Sequence, residues 1–206
     1  MKKYLKIVLF ITALALGSIL IYQNFLSNKG RKSKFPNMEL VEIDPPYKFK
    51  SDTAEKLNEV AFNLKNDGHV TQAIKLYLQA IEFEHDNPKL FFDLSECYAL
   101  ANHFRLAISS IDSAINLDPL YPPFYNNRGL CYYQLYKEDS ATADFEKAVS
   151  LDNKNYVFYA NLAMSYYSSH NLLQACDAFK QAKLLGLKIE ALPNQKELNV
   201  LEGLCK

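Results

Sequence analysis

Apolar and small side chains recur along most of the chain at intervals of three, four and seven residues. That spacing places them on one face of an α-helix, which turns once in about 3.6 residues. Asp52, with Glu55 three residues later, has the spacing of a capping box and is the expected start of the first helix. The pattern predicts nine helices, over residues 53–66, 70–83, 88–101, 104–116, 122–135, 138–151, 156–169, 172–185 and 194–204.

Two columns of alanine repeat along the chain with a period of 34 residues. The first column is Ala73, Ala107, Ala141 and Ala175, and the second is Ala80, Ala114, Ala148 and Ala182. Small residues are expected wherever two helices cross closely, because only they leave room for the facing backbone. A fixed period of this length predicts stacked helical hairpins instead of a single globular core.

These columns resemble those of the tetratricopeptide repeat family. The third unit matches the family pattern best, with Tyr125, Gly129, Tyr132, Ala141, Phe145 and Ala148. The resemblance implies an all-α fold, a right-handed solenoid of four helical hairpins in residues 52–189 that binds other proteins. The four units cover about 54–87, 88–121, 122–155 and 156–189, and a capping helix is expected in residues 190–206.

The N-terminal segment differs from the repeats, since residues 7–26 are almost wholly apolar and basic residues flank them on both sides. About 20 apolar residues can span a bilayer as one helix. The sequence therefore predicts a membrane anchor in residues 1–26, with a cleaved secretory signal as the alternative. A short basic N-terminal tail favours the cytoplasmic side, which would place the repeats extracytoplasmically. Residues 27–51, with three prolines and several charges, are predicted to be a linker, with packing of the more apolar residues 40–49 on the first repeat as the alternative.

Charge and motifs exclude several classes of function. Residues 1–50 carry nine basic and three acidic side chains, so the repeats are mildly acidic, which argues against a nucleic-acid partner. The four cysteines lack a C-x-x-C motif and are expected to be small buried thiols. No phosphate-binding, dinucleotide-binding or zinc-protease motif occurs. The sequence therefore predicts no enzyme, no cofactor, no bound metal and no small-molecule substrate.

The helix face opposite the repeat core is the predicted binding surface. The resemblance places this face, on the first helix of each repeat, in the concave groove of the solenoid. It includes polar residues such as Asn58, Lys65 and Glu96, but its apolar side chains are unusual for a solvated face. Packing between repeats is the alternative explanation for them. The predicted partner-binding residues are Phe62, Phe92, Asn126, Leu130, Tyr133, Met164 and Tyr167.

The predicted function is a non-catalytic, membrane-tethered scaffold that docks a protein partner. The basic clamp with which some tetratricopeptide proteins bind acidic chaperone tails is missing at the matching positions, which include Asn58, Phe62 and Asp93. A peptide or helix with apolar anchors therefore fits this groove better. Two alternatives stay open, namely a self-assembling homo-oligomeric module and, if the N-terminal segment is cleaved, a soluble secreted adaptor.

Overall fold

The computed structural model describes residues 47–189 and 195–206, and for residues 195–197 it describes the backbone alone. Each helix in this part of the chain begins and ends within one residue of its predicted range. The helices are α1 (Asp52–Asn66), α2 (Val70–Phe83), α3 (Pro88–Leu100), α4 (Phe104–Leu117), α5 (Pro122–Gln134), α6 (Glu138–Leu151), α7 (Tyr156–Ser168), α8 (Leu172–Leu184) and α9 (Gln195–Leu204).

The start of α1 differs in its cap from the sequence prediction. Ser51, not Asp52, is the N-cap, and its hydroxyl accepts a hydrogen bond from the amide of Ala54 at 3.3 Å. Asp52 is the first helical residue, where its negative charge still suits the helix dipole. The capping role therefore moves one residue towards the N-terminus.

The helices pair into four hairpins, α1 with α2, α3 with α4, α5 with α6 and α7 with α8, and each hairpin packs on the next. All eight alanines of the two columns are completely buried, as their small size predicted. At Gly129 an added Cβ would lie 2.9 Å from Cε1 of Phe145, so α5 and α6 approach too closely there for any larger residue. The predicted stacking of hairpins through columns of small residues is confirmed.

The turn inside each hairpin has the same conformation in all four repeats. Gly68, Asn102, Tyr136 and His170 each adopt positive φ, between 59° and 81°. The next amide then bonds back to a carbonyl five residues earlier, as in His69 to Leu64 at 2.7 Å. This is the Schellman ending of a helix, which satisfies carbonyls that the helix itself leaves unpaired.

The C-terminal helix α9 folds back on α7 and α8. Leu198 and Leu201 of α9 are buried, as expected of a helix that covers the end of the stack. Cys205 forms a disulfide with Cys176 of α8, with the two Cα atoms 5.2 Å apart. The prediction of four buried thiols is therefore wrong for this pair, because α9 leaves the repeat register and returns Cys205 to α8. Cys97 and Cys131 are free and buried.

The predicted anchor in residues 1–26, and the linker up to residue 46, lie outside the described residues. Across residues 47–189 and 195–206, no helix combines the length and the apolar character needed to cross a bilayer. The longest described helix, α1, has 15 residues, whereas a span needs about 20. The membrane localisation predicted from the sequence is corrected on this finding, and the predicted transmembrane helix has no support in the described residues.

Candidate functional site: the groove of the first helices

The first helices of the repeats, α1, α3, α5 and α7, are joined by a continuous row of buried polar side chains. Lys65 of α1 donates to Glu96 of α3 at 2.8 Å, and Asn127 of α5 donates to the other oxygen of Glu96 at 3.5 Å. Asn126 donates to Asn127 at 3.0 Å, and Asn161 of α7 donates to Asn126 at 2.8 Å. We call these five residues the polar ladder. It fixes the positions of neighbouring first helices through directional bonds.

The ion pair between Lys65 and Glu96 stabilises the ladder only while both side chains are charged. Burial alone lowers the pKa of Lys65, but the carboxylate of Glu96 outweighs that effect, and the pKa lies above its ordinary value. The ammonium also lies 4.9 Å from the ring centroid of Phe62, a cation–π distance. Removing Glu96 would leave a buried, unpaired ammonium, which typically destabilises a protein by about 3–5 kcal/mol.

A cavity of about 1250 Å³ opens between α1 and α3 on this face. Phe62 and Phe92 supply apolar walls, and Asn58, Lys65 and Glu96 supply polar ones. The volume exceeds that of one side chain and suits a short stretch of polypeptide. The arrangement can bind a segment by packing and hydrogen bonding. In residues 47–189 and 195–206, no group of three or more His, Cys, Asp or Glu side chains could hold a metal.

Residues 47–51, which we call the N-terminal strap, form one edge of the cavity. The carboxylate of Glu84 accepts the backbone amides of Lys50 and Ser51, at 2.9 and 3.0 Å. At the other end of the strap, the hydroxyl of Tyr47 donates to Asp118 in the next inter-repeat loop. The strap therefore bridges two inter-repeat loops and is held in place at both of its ends.

Of the seven residues predicted to bind a partner, Phe62 and Phe92 line the cavity, and most of the seven are buried. Phe62 and Tyr167 are half-buried, and the buried residues are Phe92, Asn126, Leu130, Tyr133 and Met164. Several of them bridge neighbouring first helices. Phe92 meets Phe124 of α5 with ring centroids 5.3 Å apart, and the hydroxyl of Tyr133 bonds to Ser168 of α7. Packing between repeats, the alternative left open by the sequence, accounts for these contacts. Their role in binding stays a prediction.

Sequence reasoning missed two parts of the site. The ladder partners Lys65 and Glu96 lie on the predicted face, but nothing in the sequence pairs them. Asn126 and Asn161 are 35 residues apart, one more than the repeat period, so the register columns do not connect them. Packing of residues 40–49 on the first repeat was left open, but the bonds of the strap to Glu84 and Asp118 were missed, because they join distant parts of the chain. The one signal of the ladder in the sequence was the recurrence of a polar residue at an interval near the 34-residue period.

Comparison with known proteins supports the tetratricopeptide repeat family. Residues 122–155 match the family model for the tetratricopeptide repeat. These residues form the third unit, which carries the family pattern best. No match is found among curated protein sequences. The matches indicate no enzyme family.

Solved structures share the fold at low sequence identity. The crystal structure of MamA is 20% identical and covers 65% of this chain and 78% of that one, with a TM-score of 0.62. TTC0263, a thermophilic repeat protein from Thermus thermophilus, is 22% identical over 74% of this chain and 81% of that one, with a TM-score of 0.58. The first repeat domain of Spaghetti (RPAP3), bound to the HSP90 peptide SRMEEVD, is 24% identical. The match covers 59% of this chain and 96% of that one, with a TM-score of 0.57. At these identities the likeness shows the fold alone.

Proposed function

We propose that this chain is a non-catalytic protein-interaction module that docks a segment of a partner protein in its concave groove. The observation that carries the proposal is the cavity of about 1250 Å³ between α1 and α3, with Phe62 and Phe92 in its walls. Aromatic walls offer large contact areas at low entropic cost, and they are enriched where proteins bind each other. Tetratricopeptide repeat proteins in general mediate protein–protein interactions.

The first two repeats are the better part of the groove for docking. Phe62 is half-buried and lines the cavity. Leu130, Tyr133 and Met164 of the later repeats are buried, and Tyr167, although half-buried, does not line the cavity. A side chain that keeps some exposed surface can gain contacts from a partner without first leaving its own packing. We therefore place the primary anchor at Phe62, with the residues of α5 and α7 as support for the shape of the groove.

The partner differs in chemistry from the peptide bound by Spaghetti. That peptide, SRMEEVD, carries three acidic residues. In this chain the buried carboxylates of Asp93 and Glu96 line the cavity. The cavity lining carries four lysines and four carboxylates, so it offers no net positive charge to an acidic segment, and Lys65 and Lys89 are already engaged in ion pairs. An apolar anchor in the partner is therefore the expected determinant of binding.

The proposal is tested by site-specific photo-crosslinking of the full chain. A photoreactive phenylalanine replaces Phe62 in the groove, and the control carries it at Leu78, which is exposed on α2. The groove position should yield an adduct to a foreign protein that the control position does not. The captured protein is then purified, and its affinity for the Phe62→Ala variant is measured by calorimetry. Loss of a central anchor should weaken binding by about 1–4 kcal/mol.

Two results would contradict the proposal. Unchanged affinity of the captured protein for Phe62→Ala would remove the groove as its binding site. Adducts only to a second copy of this chain, together with a mass in light scattering that rises with concentration, would instead favour the self-assembling module. Circular dichroism of Phe62→Ala serves as the control for folding.

A further inference from the structure

Arg128, on the first helix of the third repeat, is held by the second helices on either side of it. Its guanidinium pairs with Asp112 of α4 and with Asp144 of α6, each at 2.7 Å. The guanidinium carbon also lies 5.6 Å from the ring centroid of Tyr125 and 6.0 Å from that of Tyr132. A cation at such a distance is attracted by the negative face of an aromatic ring. The third repeat therefore fills a guanidinium site with a side chain of its own.

Two lysines complete the set of cations around these tyrosines. The Nζ atom of Lys147 lies 5.8 Å from the ring centroid of Tyr125. The Nζ atom of Lys137 lies 5.6 Å from the ring centroid of Tyr132. Each of the two rings therefore interacts with two cations of its own repeat, and the Arg128 guanidinium is one of them in both cases.

The fourth repeat keeps both tyrosines but has no cation at the three equivalent positions. One period of 34 residues later, Tyr159 stands for Tyr125 and Tyr166 stands for Tyr132. The positions of the three cations hold uncharged residues, which are Leu162 for Arg128, Gln181 for Lys147 and Asn171 for Lys137. The aromatic part of the site is thus retained where the chain's own cations are replaced.

A cavity of about 360 Å³ lies at this place, between α7 and α8. Tyr159 and Tyr166 line it. Its wall also includes Leu162 and Ala178, which are shorter than the charged residues at the equivalent positions of the third repeat. The volume falls in the range of about 300–1000 Å³ that is typical of ligand sites. The fourth repeat therefore has space where the third repeat has an arginine and its carboxylate partner.

A carboxylate remains beside this cavity. Glu146 of α6 is the equivalent of Asp112, and it accepts a hydrogen bond from the hydroxyl of Tyr166. Burial and the Glu146 carboxylate raise the pKa of Tyr166 to about 12, so the hydroxyl stays protonated and continues to donate. Asp177 and Lys180 of α8 line the cavity with opposite charges, so Glu146 gives the site an excess of negative charge. Two tyrosine rings and a carboxylate are groups that attract a cation.

We propose that this cavity, which we call the tyrosine pocket, binds the guanidinium of an arginine side chain from a partner protein. The guanidinium lies between Tyr159 and Tyr166 and pairs with Glu146. A guanidinium suits the site better than an ammonium, because its planar face stacks on rings while its edge pairs with a carboxylate. A polypeptide is the expected source, because Arg128 reaches the equivalent site as a side chain. The tyrosine pocket goes beyond the proposed function, and no described residue lines both it and the groove cavity.

The test measures the binding of short peptides to the full-length protein by NMR of its ¹³C-labelled tyrosine rings. One peptide is Gly-Gly-Arg-Gly-Gly with both ends blocked, and the other has citrulline, which is uncharged but of nearly the same shape, in place of arginine. The arginine peptide should shift the ring signals of Tyr159 and Tyr166, with a dissociation constant of about 1 mM for a single side chain. The citrulline peptide should bind at least about fivefold more weakly, because it lacks the charge.

Variants of the protein locate the binding. Gln181→Lys adds a cation beside Tyr159, as Lys147 does beside Tyr125, and should weaken the arginine peptide about fivefold. The matched control is Gln79→Lys, which adds the same charge at an exposed position of α2 in the first repeat and should leave the affinity unchanged. Tyr159→Leu, which removes the ring, should weaken binding about fivefold, whereas Tyr159→Phe keeps the ring and should bind as the native protein does. Circular dichroism confirms that the variants fold, and Gln181→Lys changes only an exposed side chain.

Four results would overturn the proposal. The first is the absence of any tyrosine shift at arginine-peptide concentrations far above the expected dissociation constant. The second is equal affinity of the arginine and citrulline peptides, and the third is equal affinity of the arginine peptide for Gln181→Lys and Gln79→Lys. The fourth is tighter binding of the free guanidinium ion than of the peptide, which would make a small cation the ligand instead of a partner protein. Docking in the groove is tested separately through Phe62, which does not line the tyrosine pocket.

Discussion

Removal of the disulfide between Cys176 and Cys205 should release the C-terminal cap of the solenoid. The perturbation is the double variant Cys176→Ser, Cys205→Ser, which leaves the rest of α8 and α9 unchanged. The two cysteines are 29 residues apart, and closing a loop of that size in the unfolded chain corresponds to about 3.6 kcal/mol of stabilisation in the chain-entropy account. That value is an upper bound, because structure left in the unfolded state reduces it.

The loss should be concentrated in α9. Among the described helices, α9 packs chiefly on α7 and α8, and its buried residues include Leu198 and Leu201. In a solenoid each unit is stabilised by its neighbours, so a terminal element can open without the rest. Hydrogen exchange at the amides of α9 should accelerate by up to about 400-fold, the factor that corresponds to the bound. Amides of α5, in the centre of the stack, should exchange at their original rates.

Urea unfolding and thiol labelling complete this test. A reductant should lower the unfolding midpoint of the native protein and leave that of the double variant unchanged. Identical α9 exchange in the native protein and the double variant would refute the reasoning. Alkylation of all four cysteines in the unreduced, denatured protein would refute the disulfide itself.

Two further predictions concern the core. Gly129→Ala should destabilise the protein by about 1–3 kcal/mol in urea unfolding, since its Cβ would lie 2.9 Å from Phe145, whereas Gly203→Ala, which meets no atom within 4 Å, should not. An unchanged midpoint for Gly129→Ala would contradict the close packing of α5 on α6. Burial raises the pKa of Cys97 and Cys131 to about 12, so neither thiol should react with iodoacetamide at about pH 8 in the native protein. Because the unfolded thiols ionise with a pKa of about 8.5, their contribution to the free energy of unfolding should fall as pH rises from there. The destabilisation by Cys97→Ala and by Cys131→Ala in urea unfolding should therefore be smaller at about pH 10 than at about pH 7, and an equal or larger destabilisation at the higher pH would contradict this.

The fold could be predicted closely because the same helix crossing recurs in every repeat. Ala141 and Ala148 lie where α6 crosses its neighbours, and the equivalent alanines occupy the same place in the other hairpins. Contacts of this kind join residues that are close in sequence or one period apart. The repeat pattern of one sequence is therefore enough to predict most of the contacts between the stacked hairpins.

The groove was less predictable because a helical wheel describes one helix at a time. The wheel placed Phe92 opposite the core columns of its own hairpin, whereas Phe92 belongs to one buried cluster with Ala107, Ile111 and Ala114 of α4. It could not show that the first helix of the next repeat lies on that side and meets Phe92 through Phe124. The disulfide failed for a related reason, since Cys205 belongs to a helix outside the 34-residue register. A contact made by residues outside the 34-residue register occurs once in the chain, so the other repeats cannot be used to predict it.

The polar ladder runs from α7 to the cavity between α1 and α3. Asn126, Asn127 and Asn161 satisfy one another, so their amides hold the later repeats in position and have less capacity for a ligand. Phe62 lines the cavity and is only half-buried, so it keeps surface that a partner can cover. Recognition in the groove should therefore reside in the first two repeats, while the last two keep the groove rigid.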